Sequence, residues 1–582
     1  MLAAMPPTSP TPANRDEAPS RASVPDPVRA SASGSVRVPV PGSVRASAPG
    51  SVRVPVREGG DACPGALRLH GADDGWLARL RLPGGLLTYR QAETLADAAE
   101  RLGDGHVDIT SRGNVQLRGL GTGTGTSPGR GRGAGAGCGT ELAGLLHEAG
   151  LLPSERHERV RNIVASPLSG LDGFGGGARH GGLGAGQPQL WARELDGLLC
   201  ASDAATGLSG RFLFALDDGR GDMAALGADV TLLARPDGTA TVHTGANRSG
   251  LRVKAADAPR AALLAAETFL TVAEASGSGA WRVRELPPGH ALELDAAVAA
   301  RLSRAGIVAE PAVATEPAKP AKPAKPAKPA NATAYVTAYV TEGPGHDGRP
   351  PLPGLIRSPD GTVAVSVHAP LGRLSAAQWR LLTSARVAPG PAAALRVTPW
   401  RGVIVPGLDP ATADDLLERF RTAGLVTDPA SPWHGVGACT GRPGCAKALA
   451  DVRADAAEAL RPAPGRPGAG GDALPVYWSG CERRCGHPQG AWVDVVATGD
   501  NAYRVSVRGG TTVTVTAPVT TTAPATATVT APATATATAT ATTTVVPTMT
   551  TTTTTTATTL ALATGPRLAD AVAAARTTTV TR

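Results

Sequence analysis

Four of the seven cysteines in this 582-residue sequence fall in two close pairs, Cys439-x5-Cys445 and Cys481-x3-Cys485, within ACTGRPGCAKA and WSGCERRCGHP. A soft metal cluster needs four thiolates converging from separate loops, and two pairs joined by an intervening segment can supply them. The spacing predicts a [4Fe-4S] site. Zinc ribbons favour gaps of two to four residues, shorter than the five of the first pair, and an odd cysteine count in a long chain argues against a disulfide framework. Leu449, Val452, Ala456 and Leu460 recur with helical spacing, so a helix is expected to open at the first pair, where its N-terminus would favour thiolates. Cys63, Cys138 and Cys200 stand alone and read as core or incidental thiols.

The elements that must carry these loops come in two copies. PGGLLTYRQ at 83–91 and PLGRLSAAQ at 370–378 share Pro-x-Gly-x-Leu-(Thr/Ser)-x-x-Gln, a strand end and turn followed by a capping box at Thr88 and Gln91 or at Ser375 and Gln378. Leu95, Ala98, Ala99 and Leu102 then give the first helix an apolar face, which Gly103 ends. ITSRGNVQLRGL at 109–120 aligns without a gap on VTPWRGVIVPGL at 397–408, and LLHEAGLL at 145–152 resembles RFRTAGLV at 419–426. Strand, helix, strand, helix in both halves implies an α+β fold of two units related by a pseudo-two-fold axis.

Composition separates these halves from low-complexity stretches. Only 3% of residues are aromatic, against 72 Gly and 51 Pro. Residues 1–61 repeat Gly-Ser-Val-Arg and read as a disordered tail, 121–140 as a Gly-rich insertion, 311–349 as a Pro/Lys-rich linker, and 509–582 as a Thr-rich tail. The glycines of 121–137 form no dinucleotide fingerprint, because no strand and helix bracket them. Between these stretches lie a first half-domain at 62–120, a larger domain at 141–310, a second half-domain at 350–426 and a cysteine-bearing domain at 427–508. Truncation after 508 is expected to be harmless. No secretory signal opens the chain and no run of about 18 apolar residues occurs, so no membrane span and a cytoplasmic location are expected. The net charge of +8 is spread along the chain with few aromatic platforms, which argues against nucleic acid as the partner.

The duplicated half-domains, TSRGNVQLRG, RNIVASPLSGLDG at 161–173 and the cysteine signature with Trp492 downstream resemble the nitrite and sulfite reductase superfamily. CPGALRLHGADDGWLARLRLPGG at 63–85 and VTPWRGVIVPGL are similar to its precorrin-3B synthase branch. The resemblance implies ferredoxin-like half-domains and a carboxylate-rimmed tetrapyrrole held by arginines beside the cluster. It assigns Arg112 and Arg161 as leading carboxylate anchors, with Asn114, Gln116 and Asn162 adding neutral hydrogen bonds and Arg401 contributing from the second half. Sulfite reductases carry a Lys-x-Lys strand for the small anion; the matching stretch GLSGRFLFALDDGRGD at 207–222 has Arg211 in the first position and Leu213 in the second. One cation there suits a compact oxyanion poorly.

The implied reaction is oxygen-dependent hydroxylation of precorrin-3A at C-20 with lactone formation, and the implied cofactors are the cluster and a non-haem iron whose ligands the sequence does not mark. His487, beside Cys485, reads as packing against the cluster rather than as a ligand. With no nucleotide fingerprint, electrons are expected from an external donor, a ferredoxin or an NADH-linked reductase. The competing readings are a sirohaem-dependent nitrite or sulfite reductase, which the single cation disfavours, and a cluster-bearing electron carrier without catalysis, which would need no macrocycle-sized cleft.

Overall fold

The computed structural model describes residues 61, 63–121, 134–174, 187–246, 249–312, 350–385, 394–461, 473–488, 490–509, 512–514, 557–564, 566–577 and 579–581. The N-terminal repeats and most of the Gly-rich and Pro/Lys-rich segments lie outside these residues.

The first half-domain runs β1 (His70–Ala72), β2 (Gly75–Leu80), β3 (Leu86–Leu87), α1 (Tyr89–Leu102), β4 (His106–Ile109), β5 (Val115–Leu120) and α2 (Ala134–Glu148). A larger domain follows: β6 (Ile163–Ala165), α3 (Gln187–Ala201), β7 (Phe214–Asp217), β8 (Val230–Ala234), β9 (Thr239–Thr244), β10 (Gly250–Lys254), α4 (Ala258–Ser276), α5 (Pro288–Arg304) and β11 (Glu310–Ala312). The second half-domain comprises β12 (Gly354–Arg357), β13 (Val363–His368), β14 (Arg373–Ser375), α6 (Ala376–Leu381), β15 (Leu395–Val397), β16 (Gly402–Leu408) and α7 (Pro410–Thr422). The last domain holds β17 (Val436–Ala438), α8 (Val452–Ala459), β18 (Val476–Ser479), β19 (Trp492–Gly499), β20 (Ala502–Arg508), β21 (Thr512–Thr514), β22 (Ala557–Thr564), α9 (Pro566–Arg576) and β23 (Thr579–Thr581).

Both expected capping boxes form, at Thr88 with Gln91 and at Ser375 with Gln378. The half-domains are exchanged with each other. Sheet order is β1-β2-β5-β4-β14 in one and β12-β13-β16-β15-β3 in the other, so each half lends one short strand to its partner's sheet. The turns before these strands repeat as well: Gly84 and Gly85 at φ 65° and 69° match Leu371 and Gly372 at 54° and 81°. At Gly85 a Cβ would lie 2.0 Å from the Val397 carbonyl oxygen, so the crossing admits only glycine. One apolar core spans both halves, from Leu80, Leu95 and Leu117 to Val365, Trp379 and Phe420. Trp379 is fully buried and its indole N–H donates to the Ala92 carbonyl across the pseudo-axis.

The two larger domains repeat each other too. In the first, β6, β7 and β8 are parallel neighbours, and β9 and β10 continue the sheet antiparallel. In the second, β17, β18 and β19 are parallel, and β20 and β22 continue antiparallel. The reading of 509–582 as a tail outside the fold is therefore corrected for 557–577. β22, with sequence ATTLALAT, forms the sheet's outer strand, and Leu568, Val572 and Ala575 of α9 enter the core of the cysteine-bearing domain. No helix among the described residues is long and apolar enough to cross a membrane.

Candidate functional site

The first sheet has two unlike faces. Ala78, Leu80, Val107, Ile109, Val115 and Leu117 point into the shared core. The alternate positions carry charge: Arg79 stands opposite Gln116, Gln116 opposite Asp108, and Asp108 opposite Arg373 across the ladder. Arg81 extends this face beyond β2 and Arg118 lies two residues past Gln116.

The cysteine loops sit over this face. Arg118 pairs with Asp74 and also donates to the carbonyl of Gly444, next to Cys445, at 2.8 Å. Arg453 of α8 reaches Asp108 at 3.0 Å. From the second half-domain, Arg401 donates to the Gly486 carbonyl at 2.6 Å and stacks on Tyr477, whose hydroxyl donates to the Cys485 carbonyl. Arg401 occupies the position matched by Gly113, both at positive φ. It anchors the cysteine loop and is not aimed at a ligand, which corrects its assignment as a carboxylate contact.

β17 ends at Ala438, directly before Cys439, and β18 is followed by Gly480 and Cys481, so two parallel neighbouring strands present the first cysteine of each pair side by side. The loops clasp: Leu449 N–H donates to the Gly480 carbonyl, and Gly480 N–H donates to the Cys439 sulfur at 3.2 Å. A side chain on Gly480 would strike Ala448, its Cβ falling 2.7 Å from that residue's Cβ. The helix expected to open at Cys445 begins later, at Val452, capped by Asp451, because the segment between is tied to the other cysteine loop. Burial pushes the Cys439 thiol pKa up, so an unliganded thiolate is disfavoured there. His487 stacks on Trp492, with ring centroids 5.2 Å apart.

The space between these loops and the polar face is strongly cationic. Arg79 feels Cys63, Cys485 and Arg118; Arg81 feels Arg79 and Arg112; Arg112 feels Arg282 and Arg79. Desolvation lowers all three pKa values, to about 9 for Arg81 and about 10 for Arg112, and like charges add to it. Arg79 donates to Gln116 at 2.9 Å, while its buried Nε has no partner among the described residues. The Arg112 guanidinium, at the β4–β5 turn, has neither hydrogen bond nor ion pair there. Arg211 lies near the Cys63 thiol and covers Trp281 at the edge of this group, whereas Leu213 packs with Val164, Ala215, Met223 and Trp400.

Four expected contacts have other duties. Arg161 forms a fork with Asp196 at 2.6 and 2.7 Å and donates to the Leu151 carbonyl, so it is a buried structural ion pair and not a free anchor. Asn114 accepts from Leu82 N–H and donates to Asn162, which donates to the Phe212 carbonyl. This buried relay joins the end of β2 to the start of β7. Gln116 orients Arg79. Arg79 and Arg81, missed in the sequence, could have been found from WLARLRL, where two arginines two apart on a strand share a face.

The described residues do not fit the non-haem iron. The one close trio of ligand types, Asp217, Asp218 and Asp222, is engaged. Asp217 accepts four backbone N–H groups and Asp218 is forked to Arg220.

Residues 70–123 and 356–423 match the nitrite/sulfite reductase ferredoxin-like half domain. The first spans β1 to β5 and the second β12 to α7. Among curated proteins the chain is similar to ferredoxin–nitrite reductases of Synechococcus elongatus (37% identity) and Leptolyngbya laminosa (36%), each over 99 residues, 17% of either chain. It is 48% identical over 59 residues to a precorrin-3B synthase of Sinorhizobium sp, 10% of this chain and 13% of that one. These matches thus span less than a fifth of the relatives' length. The NirA protein of Mycobacterium tuberculosis superposes over 74% of both chains with 17% identity and a TM-score of 0.49. The chain has the nitrite/sulfite reductase type of fold, with that family's ferredoxin-like half-domain present twice.

Proposed function

We propose that this chain is an oxidoreductase that binds precorrin-3A against the arginines beside the cysteine loops and hydroxylates it at C-20 to precorrin-3B, with lactone formation from the ring A acetate. The observation that carries this is the trio Arg79, Arg81 and Arg112 beside the cysteine loops: three desolvated cations, of which Arg112 makes no ion pair among the described residues, with Asp229 the one carboxylate whose field it feels. A rim of several carboxylates would satisfy them, and Arg forks match carboxylates bidentately. The apolar setting of Leu213 leaves one cation where a compact oxyanion would need two. The 48% identity to a precorrin-3B synthase supports the same choice.

Cys439, Cys445, Cys481 and Cys485 would hold a [4Fe-4S] cluster, which when bound supplies single electrons. The reaction consumes O2, places one oxygen on the macrocycle and releases the other as water, with two electrons from an external donor such as a ferredoxin or an NADH-linked reductase. In the protein's part of this work, Arg112 orients the carboxylates, Gln116 holds Arg79 against the rim, Arg81, which donates to the Arg159 and Gly210 carbonyls, adds its field from behind them, and Arg118 and Arg401 fix the cysteine loops over the bound ring. A surface recess of about 490 Å³ beside Cys481, lined by Lys447, Leu449 and Arg483, offers the donor a basic approach.

The second reading is a sirohaem-dependent nitrite or sulfite reductase, favoured by the longer 99-residue matches to ferredoxin–nitrite reductases. Anaerobic purification followed by pigment extraction, an iron count and incubation with precorrin-3A and O2 separates the two. A cluster band without extractable tetrapyrrole, and conversion of precorrin-3A, is the expected result. Extracted sirohaem with nitrite or sulfite reduction would overturn it.

A further inference from the structure

The cysteine-bearing sheet is completed from the far end of the sequence. β22 pairs with β20 over seven residue pairs, from Ala502 with Thr564 to Arg508 with Ala557. In the first large domain the same place is filled by β10, which follows β9 after a short turn and leads into α4. The helices share a Pro-Arg start, Pro259-Arg260 and Pro566-Arg567. Aligning the prolines sets Ala262 on Ala569, Ala265 on Val572 and Phe269 on Arg576, all buried. The Thr-rich residues 515–556 thus stand in the sequence where the first domain has its β9–β10 turn.

The last of these matches changes chemistry. Phe269 fills the first domain's core with a ring, in contact with Phe212. Arg576, 6% exposed, donates to the carbonyls of Pro432 and His434 at 3.1 and 2.6 Å. Its own carbonyl accepts from Leu474 N–H at 3.0 Å. Pro432 and His434 precede β17, which delivers Cys439; Leu474 precedes β18, which delivers Cys481. One residue therefore holds the approaches to both cysteine pairs. A guanidinium in a core loses hydration, and carbonyls held away from water need donors, so each secures the other.

Resting on the reading that the four cysteines hold a cluster, we infer that Arg576 is a positioning residue for that site. The unit 557–577 is the closing strand and helix of the cluster domain, and 515–556 is an insertion within it. The test uses the full chain carrying Arg576→Ala, Arg576→Lys or an internal deletion of 515–556, with Cys439→Ala as reference. Readouts are iron and sulfide per chain after anaerobic reconstitution, decay of the cluster absorbance under a chelator, and amide-exchange protection of residues 473–479 in the cluster-free chain. Arg576→Ala is expected to speed cluster loss roughly tenfold and to deprotect 473–479, with Arg576→Lys intermediate, since it removes two hydrogen bonds that order the loops. The internal deletion is expected to keep the wild-type lifetime. Wild-type lifetime and protection in Arg576→Ala would overturn the positioning role, and loss of the cluster in the internal deletion would overturn the insertion. If Arg576→Ala does not fold, the lysine variant decides by the same two readouts. Full iron in Cys439→Ala would instead remove the cluster reading itself.

Discussion

Arg79, Arg81 and Arg112 lie within one another's field, which adds to the cost of burying them. Replacing Arg112 with Ala relieves repulsion and removes an anchor. Affinity for precorrin-3A should fall about ten- to hundredfold, at ~1.5–3 kcal/mol for a charged hydrogen bond, while the melting temperature holds or rises. Arg161→Ala should do the reverse. It strands Asp196 and costs about 3–5 kcal/mol of stability, read by denaturant unfolding, with little specific loss of affinity in the folded fraction. Asp222 carries a pH dependence. Burial, then Asp217, pushes its carboxyl up to about 7. The native state thus holds a proton that the unfolded chain has lost by about pH 4, so this contribution to stability is full below that and disappears as pH rises through about 7. Asp222→Asn should flatten the melting temperature between pH 5 and 8, measured by calorimetry. At this scale the cysteines were plain in the sequence, because their spacing is itself a geometry. Arg161 was misread, since its partner Asp196 lies 35 positions away and nothing local announces it.

Helix α1 and helix α6 show what local signals can do. Both capping boxes were legible because cap and reach-back residue sit three apart, and the apolar face of α1 followed from Leu95, Ala98, Ala99 and Leu102, all buried. The exchange of β3 and β14 was not legible: two- and three-residue strands after a turn carry too little pattern to say which sheet they join. The start of α8 was misplaced for a related reason, since a hydrogen bond from Leu449 to Gly480 outweighs helical periodicity. Ser375→Ala should cost about 1 kcal/mol, the worth of one cap. Trp379→Ala, which empties the seam between the halves and orphans the Ala92 carbonyl, should cost ~3–5 kcal/mol. Equilibrium unfolding of the two variants checks the contrast, and loss of a single transition in Trp379→Ala would show that the halves unfold separately once the seam is open.

For the whole molecule, duplication operates twice, in the half-domains and in the larger domains that each half-domain precedes. The first was readable from short shared strings. The second was hidden because 515–556 separates β20 from β22, and because Arg576 replaces an aromatic ring with a polar anchor. Four elements are then neighbours: the polar face of the first sheet, the edge around Arg211, and the loops carrying each cysteine pair. The exchanged strands also govern when the protein can fold. Arg373 meets Asp104 across 269 positions, so the outer edge of β4 has no partner until the second half-domain has been made. At about 5–20 residues per second, a ribosome leaves that edge open for on the order of tens of seconds. During synthesis the chain therefore carries an unpaired strand edge that only its own later residues can close, which makes the early half a natural client for chaperones.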